Sequence, residues 1–179
     1  MADDNEIAFA AAAFAARAHR HQLRKDRETP YVSHVFRVSL VVRQIFGFDD
    51  PRMLAAALLH DTIEDTATDC DDILEQFGPD VARWVAALTK DMRLANDERE
   101  AAYIQVLSEA EWQVKVCKLA DIYDNLADSA SLGPEQRAKT IARSRAYLRV
   151  LKPGECPETT AAFALTEAKL IAVESAAPV

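Results

Sequence analysis

The segment DPRMLAAALLHDTIEDT, residues 50–66, carries the clearest structural signal in the chain. It begins with Asp50, a favourable helix cap, and Pro51, a favourable first residue of a helix. With successive residues about 100° apart, one stripe of this helix contains Leu54, Leu58, Asp61 and Asp65. Burying a carboxylate in an apolar stripe is costly unless it is paired, hydrogen-bonded or bound to metal. The HDTIED end of the segment is therefore a candidate functional site.

A second interpretation treats HDTIED as the frayed polar end of a helix. Glu64 and Asp65 would then face solvent, and His60 would be a half-buried side chain with its hydrogen bonds satisfied. A lone His-Asp pair does not exclude this interpretation, because short motifs often match by chance. The rest of the sequence has to decide between the two.

Outside this segment the sequence predicts helices throughout. Each of the four glycines has a proline within four residues, a pattern typical of one helix ending and another beginning. Good helix formers fill the stretches between them, and no convincing run of alternating polar and β-branched residues occurs. We therefore predict an all-α bundle of about eight to ten helices. The expected helices span about 4–20, 32–46, 51–65, 69–77, 80–90, 97–109, 111–130, 134–151 and 158–175.

Composition limits the classes of protein to consider. A chain of 179 residues that is 50% hydrophobic and 28% charged suits a single folded domain over residues 1–179. Its formal charge of −8 argues against nucleic acid or an anionic membrane surface as partner. The longest apolar run, Ile7 to Ala16, is too short to span a membrane and does not resemble a targeting segment. With only three dispersed cysteines, the expectation is a cytoplasmic protein in a reducing compartment.

A second acidic helix supplies further polar candidates. Trp112, Val116, Leu119, Tyr123, Leu126 and Ala130 form its predicted core stripe. Asp121, Asn125 and Asp128 lie on the opposite face, which taken alone is most simply solvated. His34 follows Pro30-Tyr31-Val32-Ser33, a rigid entry to another predicted helix. Together with HDTIED, these residues offer two nitrogen and two oxygen ligands, a mixture that suits a divalent first-row ion better than calcium.

Four motifs in order carry a family resemblance. They are AARAHRHQLRKDRETPYVSH at 15–34, AALLHDTIEDT at 56–66, FGPDVARWVAALTK at 77–90 and VKVCKLADIYDNL at 114–126. Over about residues 8–150 the chain resembles the HD-domain metal-dependent phosphohydrolases. More narrowly, it is similar to the hydrolase domain of RelA/SpoT-type proteins and to small stand-alone alarmone hydrolases, including the metazoan SpoT homologue.

The resemblance implies a set of site residues. It assigns metal ligation to His34, His60, Asp61 and Asp121, and positioning or activation of water to Glu64 and Asp65. It assigns substrate binding to Arg24, Lys25, Asn125, Arg143 and Tyr147. The implied cofactor is one divalent metal ion, manganese, and the implied partner is a small phosphorylated nucleotide. The implied reaction is release of pyrophosphate from the 3′ position of (p)ppGpp or (p)ppApp.

The chain departs from the family pattern at several positions. His21 replaces a glycine, Val35 replaces a proline, and Ile122-Tyr123-Asp124 replaces Arg-Leu-His of the long RelA/SpoT proteins. These changes leave the expected metal ligands in place but put recognition of the base and ribose in question.

Three alternatives to alarmone hydrolysis remain open at this stage. They are an HD-domain phosphatase acting on NADPH or a nucleoside monophosphate, a non-catalytic nucleotide-binding module, and a purely structural helical domain. No synthetase domain is expected after residue 150. The C-terminal helix, predicted at about 158–175, closes the core or associates copies into a homo-oligomer.

Overall fold

The computed structural model describes residues 6–154 and 156–176 of the chain. Within them the backbone is helical or irregular, and the only β-type pairing is an isolated bridge between Leu23 and Pro30. The predicted all-α fold is therefore confirmed. The α-helices of this part of the chain are α1 (Ile7–Ala18), α2 (Val32–Leu40), α3 (Pro51–Leu59), α4 (Thr62–Asp65), α5 (Cys70–Leu88), α6 (Asn96–Glu109), α7 (Trp112–Asp128), α8 (Pro134–Val150) and α9 (Thr160–Ser175).

The helix predicted over residues 51–65 is two helices, α3 and α4, separated at His60 and Asp61. Asp50 caps α3 by accepting a hydrogen bond from the backbone N–H of Arg52 at 2.8 Å. The prediction of a continuous helix was wrong at the His-Asp pair. Adjacent side chains on a regular helix do not face each other, whereas the interruption lets both side chains reach one site.

The two helices predicted over 69–77 and 80–90 join as α5, which bends between them. Gly78 has φ of 82° at this point, in the left-handed region that glycine adopts without steric penalty. Pro79 follows and cannot donate a backbone hydrogen bond. The glycine-proline pair therefore separates two helical segments of α5, at the point where the sequence predicted one helix to end and the next to begin.

Two other helix ends differ in type from the prediction, and one predicted start is not tested. The helix expected over 32–46 ends as a π-helical turn at Val41–Ile45. The C-terminal helix expected at 158–175 begins with a 3₁₀ turn at Pro157–Thr159 before α9. The expected start of the first helix at residue 4 lies outside the described residues.

Helix α7 lies at the centre of the molecule, where it contacts α2, α3, α5, α8 and α9. Every residue from 116 to 122 is buried, so the interpretation of the Asp121 face as solvated is wrong. Ala130, predicted in the core stripe, is exposed because it lies in the 3₁₀ turn that follows α7. The acidic side chains of α7 must therefore find partners inside the protein.

The His-Asp turn is held by the packing of α3. This helix is buried from Met53 to Leu59 and contacts α1, α2, α5 and α7. Helix α1 packs against it and buries the small side chains of Ala11 and Ala15 completely. No helix in the described ranges is long and apolar enough to cross a membrane.

Candidate active site

The imidazole of His60 is oriented by its own helix. Its Nδ1 donates to the backbone carbonyl of Ala57 at 2.8 Å, so Nε2 points away from α3. His60 is 3% exposed, and its Nε2 atom faces the Asp61 carboxylate at 3.0 Å without a well-aligned hydrogen bond in the described residues. A buried ring nitrogen that faces carboxylate oxygens is the atom that a metal ion would use.

Four predicted metal ligands converge from three parts of the chain. One donor atom each from His34 on α2, His60 after α3 and Asp121 on α7 lie within 4.8 Å of one another. The Nε2 atom of His34 lies 3.3 Å from Asp121 Oδ1. The Oδ2 atom of Asp61 lies 3.0 Å from His60 Nε2 and 3.6 Å from His34 Nε2. Two imidazoles and the Asp121 carboxylate thus form one compact donor group, with the Asp61 carboxylate beside both imidazoles, and this mixture of donors suits a divalent metal ion.

The imidazoles and carboxylates of this cluster stabilise each other's charged forms. Burial opposes protonation of His34, but hydrogen bonds with Asp121, Asp124 and Asp61 outweigh burial and raise its pKa to about 9. Burial raises the pKa of Asp61, but the neighbouring charge of His60 overcomes this and holds the pKa well below its usual range. Protons on the imidazoles therefore balance the carboxylates when no metal is bound, and a metal ion would take their place.

Two polar residues that the sequence analysis did not assign to the site fix the carboxylates. The hydroxyl of Tyr31 donates to Asp61 Oδ2 at 2.6 Å. The ammonium of Lys118, which is 8% exposed, donates to Asp121 Oδ2 at 2.8 Å. A signal for Lys118 existed, because a lysine three residues before an aspartate lies on the same helix face. Tyr31 could be found only as part of the PYVSH motif.

Glu64 and Asp65 line the same cavity as the metal-ligand cluster. The Glu64 Oε2 atom accepts a hydrogen bond from the backbone N–H of Lys90 at 2.9 Å, so the segment that follows α5 holds this side chain in place. Burial raises the pKa of Glu64 and also that of Asp65. A carboxylate with a raised pKa is a stronger base than one in water, as proton abstraction requires.

The cavity is about 240 Å³ in volume and opens beside the cluster. Ten of the eleven predicted site residues line it, and the exception is His60, which lies behind Asp61. The lining residues with predicted roles are Arg24, Lys25, His34, Asp61, Glu64, Asp65, Asp121, Asn125, Arg143 and Tyr147. Lys90, Lys118, Thr140 and Ser144 also line the cavity, and the sequence analysis gave these four residues no role.

The cations around the cavity differ in how they are held. Arg24 donates to Asp128 Oδ2 at 2.7 Å and to Asn125 Oδ1 at 3.3 Å, and its guanidinium lies over the Tyr31 ring. Burial and the like charges of Arg143 and Arg24 lower the pKa of Lys25. Three positive charges thus crowd one side of the cavity, and a bound anion would relieve their repulsion.

Tyr147 lies deeper in the cavity than the residues at its rim. It is 3% exposed, and its hydroxyl donates to Glu100 Oε2 at 2.7 Å. Lys90 binds the other oxygen of Glu100 at 2.8 Å. The tyrosine therefore lines the cavity while its hydroxyl is committed to Glu100.

A scan against family models matches residues 11–148 to the HD domain. Among curated proteins, the chain is 43% identical over 116 residues to the guanosine-3′,5′-bis(diphosphate) 3′-pyrophosphohydrolase MESH1 of Drosophila melanogaster. That alignment covers 64% of this chain and 65% of the relative. The MESH1 protein of Xenopus tropicalis is 39% identical over 136 residues, covering 75% of this chain and 76% of the relative.

The fold is similar to a solved structure described as a metazoan ortholog of SpoT that hydrolyses ppGpp. The TM-score is 0.85 at 30% sequence identity, and the match covers 98% of this chain and 99% of the other. The resemblance inferred from the four motifs thus extends to the whole arrangement of helices. The chain belongs to the HD-domain family and is homologous to the metazoan SpoT-like proteins within it.

Proposed function

We propose that this chain is a metal-dependent 3′-pyrophosphohydrolase of (p)ppGpp or (p)ppApp. The observation that carries the proposal is one cavity lined by three of the four candidate metal ligands, with His60 behind Asp61, and also by the carboxylates of Glu64 and Asp65 and a cluster of three cations. Such a cavity suits a substrate that presents a phosphate ester to a metal ion and further phosphates to basic side chains. The activity named for the MESH1 relatives is 3′-pyrophosphohydrolysis of guanosine-3′,5′-bis(diphosphate).

Membership of the HD-domain family implies a divalent metal ion. We propose manganese, held by His34, His60, Asp61 and Asp121. The Nε2 atom of His60, which faces the Asp61 and Asp121 carboxylates, and the mixed nitrogen and oxygen donors support this assignment. When bound, the ion would polarise the phosphoryl group and lower the pKa of bound water toward about 7.

The remaining steps belong to side chains of this protein. Glu64, held by the backbone of Lys90, and Asp65 orient the attacking water and accept its proton. Their raised pKa values suit this role near neutral pH. Lys25 and Arg143, both exposed at the rim, bind phosphate oxygens away from the reacting bond.

Arg24 contributes to binding in a more rigid way. Its contacts with Asp128 and Asn125 keep the guanidinium from reorganising when the substrate enters. Asn125 is itself bound to Asp121 through its amide. Arg24 and Asn125 therefore connect the nucleotide-binding wall of the cavity to the Asp121 carboxylate of the metal cluster.

We also propose that the chain forms one domain and acts in the cytoplasm. The three cysteines are free thiols, and Cys117 is buried within the core. Free thiols are usual in a reducing compartment. The charge of −8 favours a small phosphorylated ligand over nucleic acid.

The test is a nucleotide panel with added Mn²⁺ that separates pyrophosphate release from phosphate release. The panel contains (p)ppGpp, (p)ppApp, NADPH and nucleoside monophosphates. We expect pyrophosphate from the first two, loss of turnover and of bound Mn²⁺ in Asp61→Ala, and retention of both in the remote surface variant Asp80→Asn. Release of phosphate alone, or tight binding without turnover, would overturn the proposal.

A further inference from the structure

Asp124 occupies a position where this chain departs from the long RelA/SpoT proteins, and the departure affects a metal ligand. The side chain is 3% exposed on α7, three residues after Asp121. Its Oδ2 atom accepts a hydrogen bond from His34 Nδ1 at 2.7 Å. Because a carboxylate can only accept, His34 must carry its proton on Nδ1 in this contact.

Arg37 holds the Asp124 carboxylate from the other side. Its Nε donates to Oδ1 at 2.6 Å and its Nη2 donates to Oδ2 at 3.0 Å, which is a bidentate pair. The same Nη2 atom lies 3.3 Å from Asp128 Oδ1. Planar bidentate contacts of this kind fix the orientation of a carboxylate more strictly than a single ion pair does.

The direction of the other imidazole nitrogen follows from these contacts. With Nδ1 of His34 bound to Asp124, Nε2 faces Asp121 Oδ1 at 3.3 Å and Asp61 Oδ2 at 3.6 Å. Both carboxylates belong to the candidate metal cluster. A carboxylate that binds the far nitrogen of a metal-ligating histidine fixes its tautomer and orientation and raises its basicity.

We propose that Asp124, supported by Arg37, is the positioning residue for His34 at the metal centre. The inference rests on the proposed function, since it takes His34 as a metal ligand. According to this proposal, Asp124, at a position where the long proteins have histidine, increases the affinity of this chain for metal. An anion at Asp124 also strengthens the attraction between the imidazole and a cation.

A structural role for Asp124, as a buried partner of Arg37 alone, makes a different prediction. In that case removal of the carboxylate would change stability but would not change the affinity for metal. Mn²⁺ affinity, measured from the loss of the free-ion electron paramagnetic resonance signal, separates the two roles. We expect Asp124→Ala to weaken Mn²⁺ binding roughly 10- to 100-fold.

Two further variants control the measurement. Asp124→Asn keeps the volume and an acceptor for His34 Nδ1 but removes the charge, so we expect a folded protein with a smaller loss of affinity. Asp128→Asn removes the other carboxylate that faces Arg37 without touching His34, and we expect no change in Mn²⁺ affinity. Urea unfolding of each metal-free variant shows whether a change in affinity follows a change in stability.

A second readout is independent of affinity. In the wild-type protein loaded with diamagnetic Zn²⁺, the Nδ1 proton of His34 should give a slowly exchanging downfield NMR signal. The signal should disappear in Asp124→Ala and persist in Asp128→Asn.

The outcomes distinguish the inference from the proposed function. Failure of the wild-type protein to bind Mn²⁺ would overturn the proposed metal site. If the wild-type protein binds Mn²⁺ and both Asp124→Ala and Asp124→Asn bind it with the wild-type affinity, the role of Asp124 is overturned and the proposed function still stands.

Discussion

Lys118 and Asp121 form a buried ion pair whose disruption should separate stability from metal binding. The Lys118 ammonium lies 2.8 Å from Asp121 Oδ2, and each side chain is only 10% exposed. Removing one partner of a buried pair typically costs about 3–5 kcal/mol, because the other charge stays buried without compensation. Replacing both partners with neutral residues is often close to neutral.

The substitution Asp121→Asn leaves the Lys118 ammonium without its carboxylate. The ammonium still lies 4.8 Å from the centre of the Tyr147 ring and 5.1 Å from that of Tyr103, contacts that compensate in part. We therefore expect the metal-free variant to lose about 3 kcal/mol of unfolding free energy, the lower end of the range.

The reverse substitution, Lys118→Met, should cost less. Asp121 keeps the amide of Asn125 and the imidazole of His34 as partners, so we expect a loss of about 1–3 kcal/mol. The double variant should lie within about 1 kcal/mol of wild type, because neither charge is buried. The two residues should therefore show a coupling energy of at least about 3 kcal/mol in a double-mutant cycle.

The assay is urea unfolding in the presence of a chelator, followed by circular dichroism. Mn²⁺ binding and nucleotide hydrolysis are measured on the same samples. The double variant should be stable yet should bind no Mn²⁺ and show no turnover, because it lacks a ligand. If the losses of unfolding free energy in the two single variants simply add in the double variant, Lys118 and Asp121 are not strongly coupled. Mn²⁺ binding by the double variant would refute ligation by Asp121.

Three further predictions concern catalysis, pH and substrate binding. Glu64→Gln should lower kcat by about 10²- to 10⁴-fold while Mn²⁺ binding, measured by calorimetry, stays normal; a kcat close to wild type would exclude Glu64 as the base. Burial opposes protonation of His34, but its carboxylate partners raise its pKa to about 9. The stability that protonated His34 contributes is therefore fully present below about pH 6.5. The metal-free protein should therefore lose stability as pH rises from about 6.5 through 9, and a flat urea-unfolding profile across this interval would contradict the assignment. Arg143→Ala should raise KM roughly tenfold with little change in kcat, because the side chain is exposed at the rim; steady-state kinetics would show the opposite split if Arg143 acted on the reacting bond.

Much of the fold could be predicted because its signals are local. Three of the four glycine-proline pairs marked boundaries between helices, before α3, before α8 and between α8 and α9, and Asp50 with Pro51 correctly marked the start of α3. The interruption at His60 and Asp61 could not be predicted, because no glycine or proline marks it and the helical spacing of the stripe continues through it. The burial of residues 116–122 on α7 was also missed, since a single helix does not reveal how many neighbours will cover it.

For the site, the family resemblance identified ten residues that line one cavity and His60 behind it, and eight of those ten lie in the quoted motifs. The contacts that orient these residues were not predicted. His34 and Asp124 are 90 positions apart, and Arg37 and Asp124 are 87 apart. No periodicity or capping rule relates residues at such separations.

The sequence by itself determined that the chain is helical, that it carries the HD motif and which residue types are available for metal and phosphate chemistry. These properties follow from backbone propensity and from spacing within single helices. Only the tertiary structure decided that Lys118 and Asp121, which share one face of α7, pair inside the protein and that Asp124 holds His34. The physical reason is burial: once α2 and α3 cover α7, its polar side chains leave water and must pair with whatever those helices present.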